Sequence, residues 1–255
     1  SLLNESWLGN KVIIMLEPRR VAVRMVAVQM AKLLGEEVGQ SVGYQVKMES
    51  CYSKQTKLLV VTEAILVRKL QSDQALEDVA MVIFDEFHER SIHTDLSLAL
   101  CLQVQELLRP DLKLLIMSAT LDSLELTNLL GKIPVINSKG KIYDVENIYL
   151  ETNIKQPDSK SINTLLLNIT LKAIKEDEGD ILVFLAGSRE IQRLQALLEE
   201  SLKDKDIEIL PLYSTLSKEK QDKAISKSNK RKIILSTNIA QTSLTIEGVK
   251  VVIDS

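Results

Sequence analysis

Short apolar runs alternate with segments of helical periodicity along most of the chain. The runs are nearly continuous in Val, Ile, Leu and Met, which is typical of parallel strands that are buried on both faces of a sheet. We predict eight such strands, over residues 12–16, 57–61, 79–84, 113–117, 181–184, 207–212, 232–236 and 249–253.

Apolar residues between these runs recur at spacings of three and four, which predicts amphipathic helices. The three clearest stripes are Ala22, Val26, Met30, Leu33 and Leu34; then Leu96, Leu100, Val104, Leu107 and Leu108; then Ile191, Leu194, Leu197, Leu198 and Leu202. Alternation of strand and helix predicts right-handed crossovers and open parallel sheets, so the expected fold class is α/β.

The alternation is interrupted over residues 131–160, where Gly, Pro, Ser and Asp form turn-like clusters. Within this stretch only residues 145–150 could form a further strand. We therefore place a domain boundary near residue 138. The chain is expected to hold two tandem domains, over residues 1–138 and 139–255, each a mostly parallel sheet flanked by helices.

Composition narrows the class of protein without indicating a function. The 255 residues are 45% hydrophobic and 26% charged, which excludes a disordered chain and a disulfide scaffold. The net charge is −3 and neither predicted domain is basic, so any nucleic-acid site must be local. Cys51 and Cys101 form no motif, and we expect free thiols in the cytoplasm. No run approaches the roughly 20 apolar residues of a membrane helix, so no membrane partner is expected.

Asp85 and Glu86 directly follow an apolar run. Two carboxylates at the end of a buried strand are costly unless a cation lies nearby. They could form a solvated turn with acidic helix-capping residues, or a Mg²⁺–nucleotide site in which one carboxylate holds the metal and the other orients the attacking water. A zinc protease site is excluded, because His88 and His93 are five residues apart and would lie about 140° apart on a helix.

Polar residues follow other predicted strands as well. Arg19 and Arg20 stand where a helix begins, where they oppose its dipole and would gain from a phosphate; a surface ion pair with Glu17 is the alternative. The hydroxyls of Ser118 and Thr120 could bond to neighbouring carboxylates or cap the next helix. Hydroxyls and amides over residues 236–246 could line a phosphate track.

In their order along the chain, these segments resemble motifs Ia, Ib, II, III, IV and V of the superfamily 2 helicases. The segments are residues 17–20, 62–66, 85–88, 118–120, 182–187 and 236–246. The Asp-Glu-x-His form of motif II resembles the DEAH-box group, and residues 85–96 with 118–122 are most similar to the bacterial HrpB-type RNA helicases. The resemblance implies two RecA-like domains that couple ATP hydrolysis to translocation on RNA and its unwinding.

The resemblance also implies cofactors, which are ATP and Mg²⁺, and roles for individual residues. Asp85 would hold Mg²⁺ through water, and Glu86 beside it would be the general base. The residues implied to link hydrolysis to domain movement are His88, Ser118 and Thr120. The residues implied to face the nucleotide and its metal are Asp85 and Glu86, with Ser243 and Asp254 from the second domain.

The implied partner is RNA, held through its backbone and therefore with low sequence specificity. The residues implied to contact that backbone are Arg19, Arg20, Thr62, Thr237 and Asn238. A few such groups at strand ends would suffice, so the slightly acidic net charge is compatible with RNA binding.

Two family motifs are missing from the sequence. The phosphate-binding pattern GxxxxGK[ST] does not occur, and neither does the arginine-rich motif VI. We therefore expect the chain to be a segment of a longer helicase, with both domains truncated, and to be inactive by itself. Two alternatives stay open: a helicase-like module that binds nucleic acid without hydrolysing ATP, and a DNA-directed helicase of the same superfamily.

Overall fold

The computed structural model describes residues 2–119, 130–131, 133–138, 140, 143–150, 161–203, 206–241 and 246–255. These residues form two compact units with one sheet each. The strands of the first sheet lie between residues 12 and 116, and those of the second between residues 180 and 253. The predicted boundary near residue 138 falls between the two sheets and stays a prediction.

The first unit holds a six-stranded sheet in the order β3-β2-β4-β1-β5-β6. Its strands are β1 (Val12–Leu16), β2 (Val42–Val46), β3 (Glu49–Cys51), β4 (Leu58–Val61), β5 (Val79–Phe84) and β6 (Lys113–Ile116). All neighbours are parallel except β2 and β3. The helices are α1 (Arg20–Leu33), α2 (Glu63–Ser72) and α3 (Ile92–Leu107), and 3-10 turns span Leu2–Asn4, Ser6–Leu8 and Phe87–Glu89.

The second unit holds a four-stranded, fully parallel sheet in the order β10-β7-β9-β8. Its strands are β7 (Asp180–Phe184), β8 (Ile207–Leu212), β9 (Arg231–Ser236) and β10 (Val249–Ile253). Its helices are α4 (Ser161–Glu176), α5 (Ser188–Ser201) and α6 (Lys218–Ile225), with a 3-10 turn over Asn238–Ala240. Both units therefore show the predicted class, a mostly parallel sheet with flanking helices.

The central strands of both sheets carry apolar side chains on two faces, so both faces of each sheet are covered. Four consecutive residues of β1, from Ile13 to Leu16, are buried, so helices or loops cover both faces. Small residues of α1, Val23, Ala27 and Ala31, share one core with β1, β2 and β4, and let the helix lie close to the sheet. In the second unit, the α5 leucines Leu194 and Leu198 pack with β7 and β9.

One predicted helix stripe was wrong in part. On α3, Leu96, Leu107 and the following Leu108 are 44–66% exposed. The buried side of this helix consists mainly of smaller residues, namely Thr94, Ser97, Leu98, Cys101 and Val104. The helix is apolar around much of its circumference, so spacing alone does not choose the buried side. The stripe on α1 is likewise shifted, and Leu33 at its end is exposed.

One strand pair was not predicted from the sequence, and one possible strand does not form. The hairpin of β2 and β3 was missed, although Val42, Tyr44 and Val46 alternate with the period of a strand and are buried. A side chain in place of Gly43 would meet Tyr52, because a Cβ there would lie 2.6 Å from the Tyr52 Cβ. Residues 145–150 form no strand; their apolar side chains are exposed in this structure.

Two other sequence-based expectations concern the thiols and the membrane. Cys51 and Cys101 are free cysteines, the first half-buried and the second buried. Burial raises the pKa of the Cys101 thiol to about 12. Among the described residues, no helix has the length and apolar character needed to cross a membrane.

Candidate active site

The candidate site lies where parallel strands β1, β5 and β6 end at one edge of the first sheet. Backbone hydrogen bonds fix the segment that follows β5 to both neighbours. The Asp85 N–H donates to the carbonyl of Leu16 at 3.2 Å, at the end of β1. Met117, after β6, donates to Phe84 at 2.8 Å and accepts from Phe87 at 3.0 Å. The two predicted carboxylates are therefore held on a rigid edge.

The backbone at Glu86 is left-handed, with φ 50° and ψ 38°. Asp85 supports this conformation, because its Oδ1 accepts the Glu86 N–H at 2.8 Å. The buried Phe87 ring then anchors the 3-10 turn by packing edge-on against Phe84, with ring centroids 6.5 Å apart. Left-handed backbone at a residue other than glycine is unfavourable and is found disproportionately at functional sites.

The electrostatic environment of Glu86 suits a general base. Burial raises the pKa of Glu86 first, and the neighbouring charge of Asp85 raises it further, while His88 and Arg19 act in the opposite direction. A carboxylate with a raised pKa accepts a proton more readily, and a pair of close carboxylates gains from a divalent cation. This combination favours the metal–nucleotide interpretation over a solvated turn.

His88 joins the carboxylate segment to the segment after β6. Its Nδ1 lies 3.4 Å from the Glu86 Oε2 and accepts the N–H of Ala119 at 3.4 Å. Ser118, half-buried, directly precedes Ala119. The structure thus brings His88 to the predicted Ser-Ala-Thr segment through the backbone of Ala119. Thr120 lies outside the described residues.

The two arginines after β1 have different partners. The Arg19 Nη2 lies 3.5 Å from the Glu89 Oε1, at the end of the 3-10 turn. The Arg20 Nη2 donates to the carbonyl of Lys47 at 2.8 Å, in the turn between β2 and β3. Glu17, the other partner considered for these arginines, is buried and only 1% exposed.

Thr62 is half-buried and directly precedes α2, with extended backbone. The residue after it, Glu63, was missed by sequence reasoning, as were its partners Ser91 and Thr94 at the start of α3. Glu63 lies within residues 62–66, the segment that resembles motif Ib, but the sequence does not indicate what it binds. Its partners lie about 30 residues further along the chain.

In the second unit, hydrogen bonds join the ends of β8 and β9. Thr237 and Asn238, which were predicted to bind RNA, directly follow β9. The Thr237 N–H and the Ser236 hydroxyl both donate to the carbonyl of Leu212 at 3.2 Å. Asn238 is exposed and begins the 3-10 turn. Asp254 is exposed after β10, at the same edge of the parallel sheet. Ser243 lies outside the described residues.

The donor set is compatible with Mg²⁺ that is shared with a nucleotide. Within the described parts of the chain, no group of three or more His, Cys, Asp or Glu side chains could hold a metal ion. Mg²⁺ does not need such a group, because it keeps several waters and binds one or two carboxylates together with substrate phosphates. Asp85 and Glu86 supply that number of carboxylates.

Comparison with known proteins decides the family. Residues 2–129 match the family described as "DEAD/DEAH box helicase". The chain belongs to this helicase family. Residues 161–255 match the "Helicase conserved C-terminal domain", so the second unit is the partner domain expected in such a helicase. The DEAH-box resemblance and the two RecA-like domains predicted from the sequence are confirmed.

Several proteins similar to this chain are bacterial helicases. The chain is 46% identical over 96% of its length to "ATP-dependent RNA helicase HrpB" of Escherichia coli, and 38% identical over 94% to "ATP-dependent RNA helicase HrpA" of Borreliella burgdorferi. It covers 30% and 29% of those proteins. The crystal structure of Escherichia coli DEAH/RHA helicase HrpB matches 99% of this chain at 45% identity, with a TM-score of 0.87, and the chain covers 32% of that structure.

A second solved structure, of the Escherichia coli DExH-box NTPase HrpB, matches with a TM-score of 0.74 at 46% identity. It covers 96% of this chain, and the chain covers 30% of it. The chain therefore spans less than a third of the length of these helicases.

Proposed function

We propose that the full-length protein containing this chain is an ATP-dependent RNA helicase of the HrpB type. The observation that carries the proposal is the carboxylate pair Asp85–Glu86 at the end of β5, in a chain 46% identical to an RNA helicase. Hydrolysis of ATP would drive translocation along RNA and its unwinding. The free thiols of Cys51 and Cys101 favour a cytoplasmic protein.

In the proposed reaction, Asp85 and Glu86 would hold Mg²⁺ through its waters. The ion would neutralise charge on the nucleotide phosphates when it is bound. Glu86 would orient the attacking water and take its proton. His88 and Ser118 would relay hydrolysis to domain movement together with Thr120, and Ser243 and Asp254 would face the nucleotide from the second unit.

RNA would be bound at the strand ends of each unit. In the first unit, Arg19 and Arg20 after β1 and Thr62 after β4 would contact phosphates. In the second, Thr237 and Asn238 after β9 would do so. Contacts of this type give affinity with little sequence information, so the enzyme should accept many RNA sequences.

A strand-displacement assay tests this function. The full-length protein should separate an RNA duplex with a single-stranded tail when ATP and Mg²⁺ are present. Glu86→Gln keeps the size of the side chain and removes its basicity, so it should abolish displacement while RNA binding is retained. The isolated 255-residue chain should be inactive, because it has no GxxxxGK[ST] sequence. Displacement by Glu86→Gln at the wild-type rate would refute the proposal.

A further inference from the structure

Glu63 occupies a junction between two helices of the first unit. It stands in the first turn of α2, and its Oε1 accepts the Ser91 hydroxyl at 2.8 Å. The buried Thr94 hydroxyl donates to the same oxygen. Ser91 also caps α3, because its Oγ accepts the Thr94 N–H at 3.0 Å. One carboxylate oxygen therefore fixes the start of α2 to the start of α3, and we name Glu63, Ser91 and Thr94 the Glu63 junction.

The junction lies between two segments of the proposed site, one for RNA and one for hydrolysis. Glu63 directly follows Thr62, which the proposed function places on RNA. Ser91 directly follows the segment that carries Asp85 and Glu86. In the sheet, β4 and β5 are separated by β1, so their backbones do not pair with each other. The junction provides a side-chain connection between the two segments.

A further pair of contacts joins α3 to the turn that carries Glu86. Arg90 pairs with Asp95 of the first turn of α3 through two hydrogen bonds of 3.1 Å. The same guanidinium lies 5.4 Å from the centre of the Phe87 ring, the residue after Glu86. A shift of the α2 start would therefore move Ser91 and Thr94, and with them the turn that orients Glu86.

We propose that the Glu63 junction is a positioning element that transmits RNA occupancy at Thr62 to the hydrolytic carboxylate Glu86. This inference rests on the proposed function. Glu63 touches neither reacting group in this scheme; it acts through Ser91 and Thr94. RNA binding would fix the start of α2, and the junction would then hold Glu86 in its hydrolytic position.

Steady-state ATP hydrolysis by the full-length protein tests the proposal, with and without saturating single-stranded RNA. Glu63→Ala should lower the ratio of RNA-stimulated to basal rate at least about fivefold, the lower range of typical coupling between sites. The basal rate and the dissociation constant for RNA, from fluorescence anisotropy, should stay within about twofold. Ser91→Ala should act in the same direction, and the double variant should lose little more than either single variant.

Two further variants separate positioning from general loosening of the fold. Glu63→Gln keeps an acceptor oxygen for both hydroxyls and should retain more than half of the stimulation. Asp78→Ala is the matched control, since Asp78 pairs with Lys69 at 2.9 Å and ties the opposite end of α2 to the start of β5. That variant should keep the wild-type ratio.

Several outcomes would overturn the inference. An unchanged ratio in Glu63→Ala would do so, and so would basal and stimulated rates that fall together, which indicates a purely structural role. Weaker RNA binding with an unchanged ratio at saturation would show that the junction serves affinity alone. The wild-type measurement separates the two hypotheses: absence of stimulation there refutes the proposed RNA function itself, and the inference falls with it.

Discussion

Arg231, at the start of β9, closes the end of helix α4 in the second unit. Its guanidinium donates to the carbonyls of Gly179 at 2.6 Å and of Ile174 and Asp177 at 2.8 Å, with Ala173 further away at 3.5 Å. The last carbonyls of a helix lack partners within the helix and carry partial negative charge. One arginine thus satisfies several of them at once.

Replacing Arg231 by alanine should destabilise the second unit measurably. The carbonyls of buried Ile174 and half-buried Gly179 would lose the arginine, and a buried carbonyl that loses its partner costs about 1–3 kcal/mol. The Ala173 carbonyl keeps the Asp177 N–H at 3.0 Å. Asp177 is exposed, so water can replace its contact at little cost. We therefore expect a loss of about 2–4 kcal/mol in the free energy of unfolding of this unit. Arg231→Lys keeps the charge without the planar fork and should lose about half as much.

Hydrogen exchange of the full-length protein, followed by mass spectrometry, can localise this loss. A loss of about 2–4 kcal/mol corresponds to exchange about 30–1000 times faster in α4 and β7. Peptides from the first unit should be unaffected. Arg193→Ala, at an exposed position of α5, is the control and should change stability by less than about 0.5 kcal/mol. Exchange in α4 that accelerates less than about threefold, or equally in both units, would refute the reasoning.

Two further predictions concern the proposed site. Burial and the charge of Asp85 raise the pKa of Glu86 in the folded protein, so ionisation of Glu86 destabilises the fold as the pH rises through that value. Glu86→Gln should therefore raise the melting temperature at about pH 8 and leave it unchanged at about pH 4, where folded and unfolded carboxyls are largely protonated; an equal shift at both pH values would contradict this. Arg19→Ala and Arg20→Ala should each weaken RNA binding and reduce the slope of log affinity against log salt by about 0.7, measured by anisotropy titrations. An unchanged slope would mean that the arginine contacts no phosphate.

The sequence was sufficient to predict most of the fold because buried parallel strands leave a strong local signal. Each of the eight predicted apolar runs forms a strand, with ends that differ by at most one residue. The hairpin of β2 and β3 was missed because it is short, contains Gly43 and returns antiparallel at the sheet edge. The buried side of α3 was misjudged because leucines occur around much of the circumference of that helix.

Only those site residues that directly follow a predicted strand could be found from the sequence. Asp85 and Glu86 follow a strand directly, so the rule that ligands bind beyond the carboxyl ends of parallel strands finds them. The partners that hold the site are distant in sequence: Glu63 and Thr94 are 31 residues apart, and so are His88 and Ala119. Such contacts depend on how the elements pack, which no local pattern records.

The most direct test of the central claim is ATP hydrolysis by the full-length protein with RNA, with DNA of the same sequence, and with neither. RNA should stimulate hydrolysis more than DNA, and Glu86→Gln should lower the stimulated rate at least about 100-fold, the usual scale for loss of a general base. Equal or greater stimulation by DNA, or a Glu86→Gln variant that hydrolyses ATP at the wild-type rate, would contradict the account.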